Sequence, residues 1–130
     1  MTLKFHNPAS VPAPLGTYSH GVEVPPNSRL LYVSGQTAVD ANGAIPEGIE
    51  AQAELVWSRI VNVLASAGLG VPDIVKMTAY LTNPANSPGY AKVRGKYLGE
   101  HRPAAVGIIV PALFNPKYLV EVEVIAAASV

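Results

Sequence analysis

The sequence predicts an α+β fold in which two helices pack on one face of a mixed β-sheet. Two segments favour helix, one of them with apolar residues recurring every three to four positions along a long stretch. Four other segments are rich in the residues that favour strands. The predicted order is strands, helix, strand, helix and two strands, and one helical layer on a mixed sheet accommodates that order.

The first third of the chain is predicted to be a fixed loop followed by a strand. The segment PASVPAP, residues 8–14, contains too much proline for a helix or a central strand. Residues 30–39, LLYVSGQTAV, favour a strand, and the Asn42-Gly43 pair after them suits a tight turn.

Residues 48–68 are predicted to form the first helix. Their apolar residues recur at helical spacing, with polar side chains between them, and Gly68 provides the left-handed conformation that ends a helix. The apolar stripe consists of Ile49, Ala53, Val56, Ile60, Val63, Leu64 and Ala67.

The second half is predicted to contain three strands and the second helix. Residues 73–82, DIVKMTAYLT, form a strand, and Pro88 begins a helix that extends to about Leu98. Residues 104–110 are continuously apolar, which is typical of a strand covered on both faces. After a turn at residues 115–117, residues 119–128 form the last strand.

Length and composition indicate one domain, residues 1–130, that associates with copies of itself. Charged residues make up 14% of the chain and hydrophobic residues 49%, whereas about 25% of the residues in a typical soluble domain are charged. Helices on one face leave the other sheet face uncovered. We therefore expect an oligomer in which that face is buried.

Several classes of protein and site are disfavoured by the sequence. Nine basic residues balance nine acidic ones, and no basic cluster favours nucleic-acid binding. There is no cysteine, and the three histidines, His6, His20 and His101, lack the spacing of metal ligands, so we predict neither a metal nor a cofactor. With no signal peptide and no apolar run near 18 residues, a soluble cytoplasmic protein without a membrane partner is expected.

Glu121 and Glu123 are the clearest acid–base candidates. Two positions apart on a strand, their carboxylates point to the same face, while Val120, Val122 and Val124 fill the other face. One interpretation is an ordinary solvated outer face. The other is that one carboxylate positions a water molecule as a general base in a crevice between subunits.

Three further residues are candidate site residues. Tyr18 and Ser34 carry hydroxyls beside turn-like glycines and are, by themselves, ordinary strand-end residues. Arg94 follows Val93 at the edge of an apolar helix face. It is either a rim arginine whose stem covers apolar surface or a cation that holds an anion.

Five segments, in this order and spacing, resemble the RidA/YjgF/YER057c/UK114 family. They are PAPLGTYSHGVEV, LYVSGQTAVD, NVLASAGLGVPDIVKMTAYLT, RPAAVGIIVPAL and LVEVEVIAAA. The resemblance extends from about Ala13 to Ala128 and rests on the ordered set rather than on any single motif.

The resemblance implies a chorismate-mutase-like α+β subunit that assembles as a homotrimer with pockets at the three subunit interfaces. It also implies hydrolysis of reactive 2-imino or enamine acids to 2-keto acids and ammonia, without cofactor or metal. By position, Tyr18 resembles the pocket tyrosine of the family motif GPYSQ, and Ser34 and Gly35 resemble its pocket-lining Ser-Gly. Glu121 resembles the glutamate that orients the attacking water and is expected to be catalytic. Tyr18, also expected to be catalytic, would hold the imine together with main-chain groups near Gly35 and Gly107.

Two positions depart from the family pattern. Deaminase-type members carry an arginine that binds the substrate carboxylate, and Ala105 stands at that position here. Many members carry asparagine at the position of Arg94. The hypothesis from the sequence is that Arg94 replaces the missing cation from a different wall of the pocket and thereby alters substrate choice.

Three functions follow, from different classes. The first is an imine deaminase with altered substrate choice, and the second is a non-catalytic trimer that binds a small carboxylate or regulates a partner enzyme, which Ala105 favours. The third, a ribonuclease or translation inhibitor, ranks last, because the net charge is zero and no catalytic histidine pair is present.

Overall fold

The computed structural model describes residues 2–128, which form six strands and two α-helices. The helices are α1 (Ile49–Ser66) and α2 (Ser87–Leu98). The strands are β1 (Lys4–His6), β2 (Gly21–Glu23), β3 (Arg29–Thr37), β4 (Ile74–Leu81), β5 (Ala104–Ile109) and β6 (Val120–Ala128).

The main sheet has four strands in the order β3-β6-β4-β5. β6 is antiparallel to both of its neighbours, whereas β4 and β5 are parallel and are connected through α2. The predicted mixed sheet is therefore confirmed. The ribbon formed by β1 and β2 was not resolved by the sequence patterns, because three-residue strands are too short to establish a period of two.

Both helices pack on the same face of the sheet, as predicted. The buried stripe of α1 includes Val56, Trp57 and Ile60, none of which is accessible to solvent. On β6, the three valines Val120, Val122 and Val124 face this layer and are buried, while Glu121 and Glu123 alternate with them on the other face. The alternation along β6 thus divides the sheet into a helix-covered face and an open face.

The helix boundaries agree closely with the predicted ones. α1 ends two residues before Gly68, which has φ of 72°, the left-handed conformation that glycine adopts without a Cβ penalty. α2 begins at Ser87, with Pro88 in its first turn, where a missing N–H costs nothing.

The prediction that residues 104–110 form a strand covered on both faces is wrong for the single chain. β5 is the edge strand of the sheet, and Val106, Ile108 and Ile109 are exposed. A continuous apolar run indicates that both faces avoid water, but it does not say whether the cover comes from the same chain. An apolar edge strand also favours pairing or aggregation unless something covers it.

Close packing of the two helices depends on Gly89 in α2. A Cβ at this position would lie 2.6 Å from Cγ2 of Ile49, whose β-branched side chain has little freedom to move. By contrast, a Cβ at Gly95 in the same helix would meet nothing within 4 Å.

We therefore expect Gly89→Ala and Gly95→Ala to change stability in opposite directions. Gly89→Ala should lower the free energy of unfolding by about 1–3 kcal/mol through overpacking. Gly95→Ala should raise it by about 0.5–1 kcal/mol, because alanine restricts the unfolded chain and favours helix. Urea unfolding at one fixed protein concentration measures both, and a stabilising Gly89→Ala would contradict the packing argument.

Candidate functional site

A cavity of about 490 Å³ lies on the helix-covered face, between α2 and the edge of the sheet. Its walls come from the loop before β2, from β4 and β5, and from one side of α2. Four of the candidate residues from the sequence line it together: Tyr18, Arg94, Ala105 and Gly107.

Arg94 is the one charged residue among the described residues that line this cavity. Its guanidinium lies over the ring of Tyr90, with Cζ 5.6 Å from the ring centroid, a distance that allows a cation–π contact. Its Nε is buried and has no hydrogen-bond partner within residues 2–128. Because a buried donor without a partner costs about 1–3 kcal/mol, this nitrogen is suited to an acceptor that a ligand brings.

Tyr90 fixes the arginine without neutralising its charge. Burial raises the pKa of Tyr90 to about 12, so its hydroxyl remains neutral at pH 7. Of the ion pairs between described residues, none involves Arg94. The cavity therefore keeps one positive charge available for a ligand.

Two hydroxyls from the loop before β2 add to the polar part of the cavity, which Ser87 of α2 also lines. The Tyr18 oxygen accepts a hydrogen bond of 3.3 Å from the backbone N–H of Leu15, which leaves its proton free to donate. Oγ1 of Thr17 is buried without a partner among the described residues. Sequence reasoning missed Thr17, and the signal for it was its place beside Tyr18 in GTYSH.

Glu121 lies on the open face of the sheet and does not line the Arg94 cavity. With Tyr80, Glu123 and Phe114 it borders a separate surface cavity. Burial, and secondly the nearby charge of Glu123, raise the pKa of the Glu121 carboxyl. A carboxylate whose proton affinity is raised is better matched to proton transfer near neutral pH than an ordinary glutamate.

Tyr80 holds Glu123 beside Glu121. Its hydroxyl donates a hydrogen bond of 2.7 Å to Oε1 of Glu123, and this bond raises the pKa of Tyr80. Sequence reasoning did not identify Tyr80 as part of a site, although its place on the same strand face as Thr78 was evident from the alternation. The arrangement keeps a second carboxylate within electrostatic range of Glu121.

Ser34 and Gly35 lie at an irregularity of β3, where the pairing with β6 shifts register between Val33 and Gln36. Ser34 is exposed and borders a third cavity on the open face, together with Lys76 and Thr78. The carboxylate of Glu121 lies directly on Gly35: a Cβ there would overlap the carboxylate and lie 2.9 Å from its Cδ. Only glycine leaves room for Glu121 in this orientation.

Gly35→Ala should therefore displace the Glu121 carboxylate while the fold stays intact, since the overlapping atoms are the end of a flexible side chain. If Glu121 acts as a base, we expect kcat to fall by about 100-fold, with a smaller effect on KM. Gly70→Ala is the matched control, because a Cβ there meets only Cδ of Pro72 at 3.6 Å. Full activity in Gly35→Ala would mean that this orientation of Glu121 is not needed.

The geometry of one chain thus divides the candidate residues into two groups on opposite faces of the sheet. Tyr18, Arg94, Ala105 and Gly107 lie on the helix-covered side, and Ser34, Gly35 and Glu121 lie on the open side. Residues 2–128 contain no cluster of three or more His, Cys, Asp or Glu side chains that could hold a metal ion. Neither helix of the described chain is long and apolar enough to cross a membrane.

Two helices on one face of a mixed sheet, with a cavity at the edge of that sheet, define a small α+β protein. The model of the family described as endoribonuclease L-PSP matches residues 8–128. The chain belongs to that family, the RidA/YjgF/YER057c/UK114 family, so the resemblance found in the sequence is confirmed.

Three relatives illustrate the similarity. A RutC family protein of Pyrococcus horikoshii is 33% identical over 90% of this chain and 91% of its own. The structure of YyfB, a Rid-family protein of Yersinia pestis, has a TM-score of 0.86 and 32% identity, and covers 98% of this chain and 100% of that one. TdcF of Escherichia coli, named "Putative reactive intermediate deaminase TdcF", is 31% identical over 70% of this chain and 69% of its own. Its crystal structure with bound serine has a TM-score of 0.73 and 29% identity, over 97% of this chain and 99% of that one.

Proposed function

We propose that this protein is a RidA-like hydrolase that converts a reactive 2-imino acid to a 2-keto acid and ammonia. The observation that carries the proposal is Arg94, which lines the same cavity as Tyr18, Ala105 and Gly107 and whose buried Nε has no partner in the described chain. The name of TdcF and the serine in its crystal structure support a small amino-acid-like ligand. Ala105 leaves Arg94 as the cation for the carboxylate.

The reaction adds water across a C=N bond and then breaks the C–N bond. Glu121 takes a proton from the water as its oxygen attacks the imine carbon, and this proton passes to the imine nitrogen, which gives a tetrahedral carbinolamine. Glu121 then transfers the hydroxyl proton of this intermediate to its nitrogen, so that ammonia leaves as the C–N bond breaks and the C=O bond forms. Imines hydrolyse in water without help, so orientation of the reactants and one base give a useful acceleration.

The complete site requires a second copy of the chain. Because Arg94 and Glu121 lie on opposite faces of one sheet, a single chain cannot bring both to one substrate. We propose a homotrimer in which the open face of one copy, with Glu121, Ser34 and Gly35, covers the Arg94 cavity of the next. Exposed apolar side chains on both sides of the proposed contact, such as Leu15, Tyr32 and Phe114, support such an association.

A second candidate is a non-catalytic trimer that binds a small carboxylate or regulates a partner enzyme. Ala105 favours it, because the family arginine is absent from the cavity. RNA cleavage is not supported: the net charge is zero, and one arginine is a small electrostatic attraction for a polyanion.

The test is to supply freshly generated 2-imino acids and to measure the keto acid and ammonia released above the uncatalysed rate. The deaminase proposal expects turnover that follows protein concentration. Saturable carboxylate binding without turnover would establish the binding protein instead. Salt-sensitive RNA binding with cleavage would overturn both.

A further inference from the structure

The Arg94 cavity has a charged end, which suits an anionic group of a ligand, and an apolar floor, which suits an apolar group. Met77, Ala79 and Leu81 of β4 form one side of the floor, and their side chains are buried. Beside them on β5, Ala105 pairs with Met77 and Gly107 pairs with Ala79. No described residue of this floor carries a charge.

The floor is also unobstructed. A Cβ built on Gly107 would meet nothing within 4 Å in the described chain, and Ala105 and Ala79 contribute only methyl groups. The cavity volume of about 490 Å³ lies in the range of about 300–1,000 Å³ that is typical of sites for drug-sized ligands. A three-carbon imino acid would leave most of this space to water.

The charge balance limits the ligand in a second way. Within one chain, Arg94 is the one charged residue that lines the cavity among residues 2–128. In the proposed trimer the next copy adds Glu121, which supplies no second cation and disfavours a second carboxylate on the ligand further. A ligand with one carboxylate is therefore matched by one cation. A second carboxylate would rest on the apolar floor without a partner, and an unpaired charge in such surroundings is strongly disfavoured.

We propose that the cavity selects a monoanionic acid with a bulky apolar side chain, in the catalytic case a large apolar 2-imino acid. Its carboxylate pairs with Arg94, assisted by the hydroxyl of Thr17, and its side chain lies on the floor formed by Ala79, Ala105 and Gly107. This inference rests on the proposed function for its imine part, whereas the choice of ligand class rests on the part of the site that one chain supplies.

Binding of stable carboxylates tests the ligand class without catalysis. Calorimetry with propanoate, hexanoate, 3-phenylpropanoate and glutarate should give affinities that rise by about three- to fourfold for each buried methylene. Glutarate should bind more weakly than hexanoate, and Arg94→Ala should abolish the binding of all four. Equal affinities for propanoate and hexanoate, or tighter binding of glutarate, would overturn the inference.

Turnover of a matched panel tests the catalytic part. For imines derived from alanine, leucine, phenylalanine and aspartate, kcat/KM should be highest for the leucine and phenylalanine imines and lowest for the aspartate imine. Ala105→Leu fills the floor and should lower the ratio of kcat/KM for the phenylalanine imine over the alanine imine by about tenfold. Ala41→Leu, at an exposed turn position, is the control that should leave this ratio unchanged.

The two proposals fail in distinguishable ways. Turnover that does not depend on side-chain size overturns the inference and leaves the deaminase proposal standing. Tight, Arg94-dependent binding of long monocarboxylates without any turnover supports the ligand class and overturns the deaminase proposal. A thermal unfolding midpoint for Ala105→Leu separates a filled floor from a damaged fold.

Discussion

Arg94→Ala should lower kcat/KM for 2-imino acids by more than about 100-fold. In the proposed reaction, the carboxylate of the substrate enters a cavity in which Arg94 is the one cation among the described residues. Removing one partner of a buried ion pair costs about 3–5 kcal/mol, because the other charge remains desolvated. The loss should appear mainly in KM if the arginine holds the carboxylate equally in the ground state and the transition state.

Two matched variants separate the role of the guanidinium from that of charge in general. Arg94→Lys keeps the charge but loses the planar fork and the stacking on Tyr90, so it should recover only part of the activity. Arg29→Ala removes an exposed arginine at the start of β3, the edge strand opposite β5, that does not line the cavity, and it should leave the activity unchanged. Near-normal kinetics in Arg94→Ala would mean that this arginine only covers apolar surface.

Much of the fold was predictable because it depends on periodicities within single segments. The three-to-four spacing of Val56, Ile60 and Leu64 determines which side of α1 is buried, and the alternation along β6 determines the direction of each side chain. Gly68 ends α1 by its own conformational freedom. None of these features requires knowledge of a distant part of the chain.

The site was less predictable because it depends on how segments meet. That Arg94 shares a cavity with Tyr18 and Ala105 follows from the parallel pairing of β4 with β5 and from the packing of α2, which no local pattern encodes. The contact between Gly35 and Glu121 depends on a register shift between β3 and β6. The exposure of β5 was missed because its apolar residues suit burial by another copy as well as by the same chain.

Glu121→Gln should lower kcat by about 10²–10⁴-fold, the range that general base catalysis contributes. The amide has nearly the same shape and cannot accept the proton of the attacking water. The substitution should not destabilise the fold. Burial and the charge of Glu123 raise the pKa of Glu121 in the folded protein. The stability that the protonated carboxyl contributes is therefore fully present below the pKa of the unfolded chain. It is lost as the pH rises through the pKa of the folded protein. At pH 7 the uncharged amide should therefore leave the unfolding midpoint unchanged or raise it.

The pH profile gives an independent readout of the same residue. A general base acts when ionised, so kcat/KM should rise with pH through the pKa of Glu121, which burial raises from the ordinary value for a glutamate. Glu123→Gln removes one cause of the raised pKa of Glu121 and should move the rise of kcat/KM to lower pH. If the rise of kcat/KM stays at the same pH in this variant, a group other than Glu121 controls the pH dependence.

Mixing two inactive variants then tests whether the site is shared between copies. Arg94→Ala lacks the carboxylate contact but keeps Glu121, and Glu121→Gln keeps the cavity but lacks the base. If both groups of one site came from one chain, no mixture could be active. In a ring of three copies, each site combines the cavity of one subunit with the open face of the next. After unfolding and refolding at equal concentrations, roughly one site in four should join an intact cavity to an intact glutamate. Restored activity near a quarter of wild type would establish the shared site, whereas a mixture as inactive as its components would refute it.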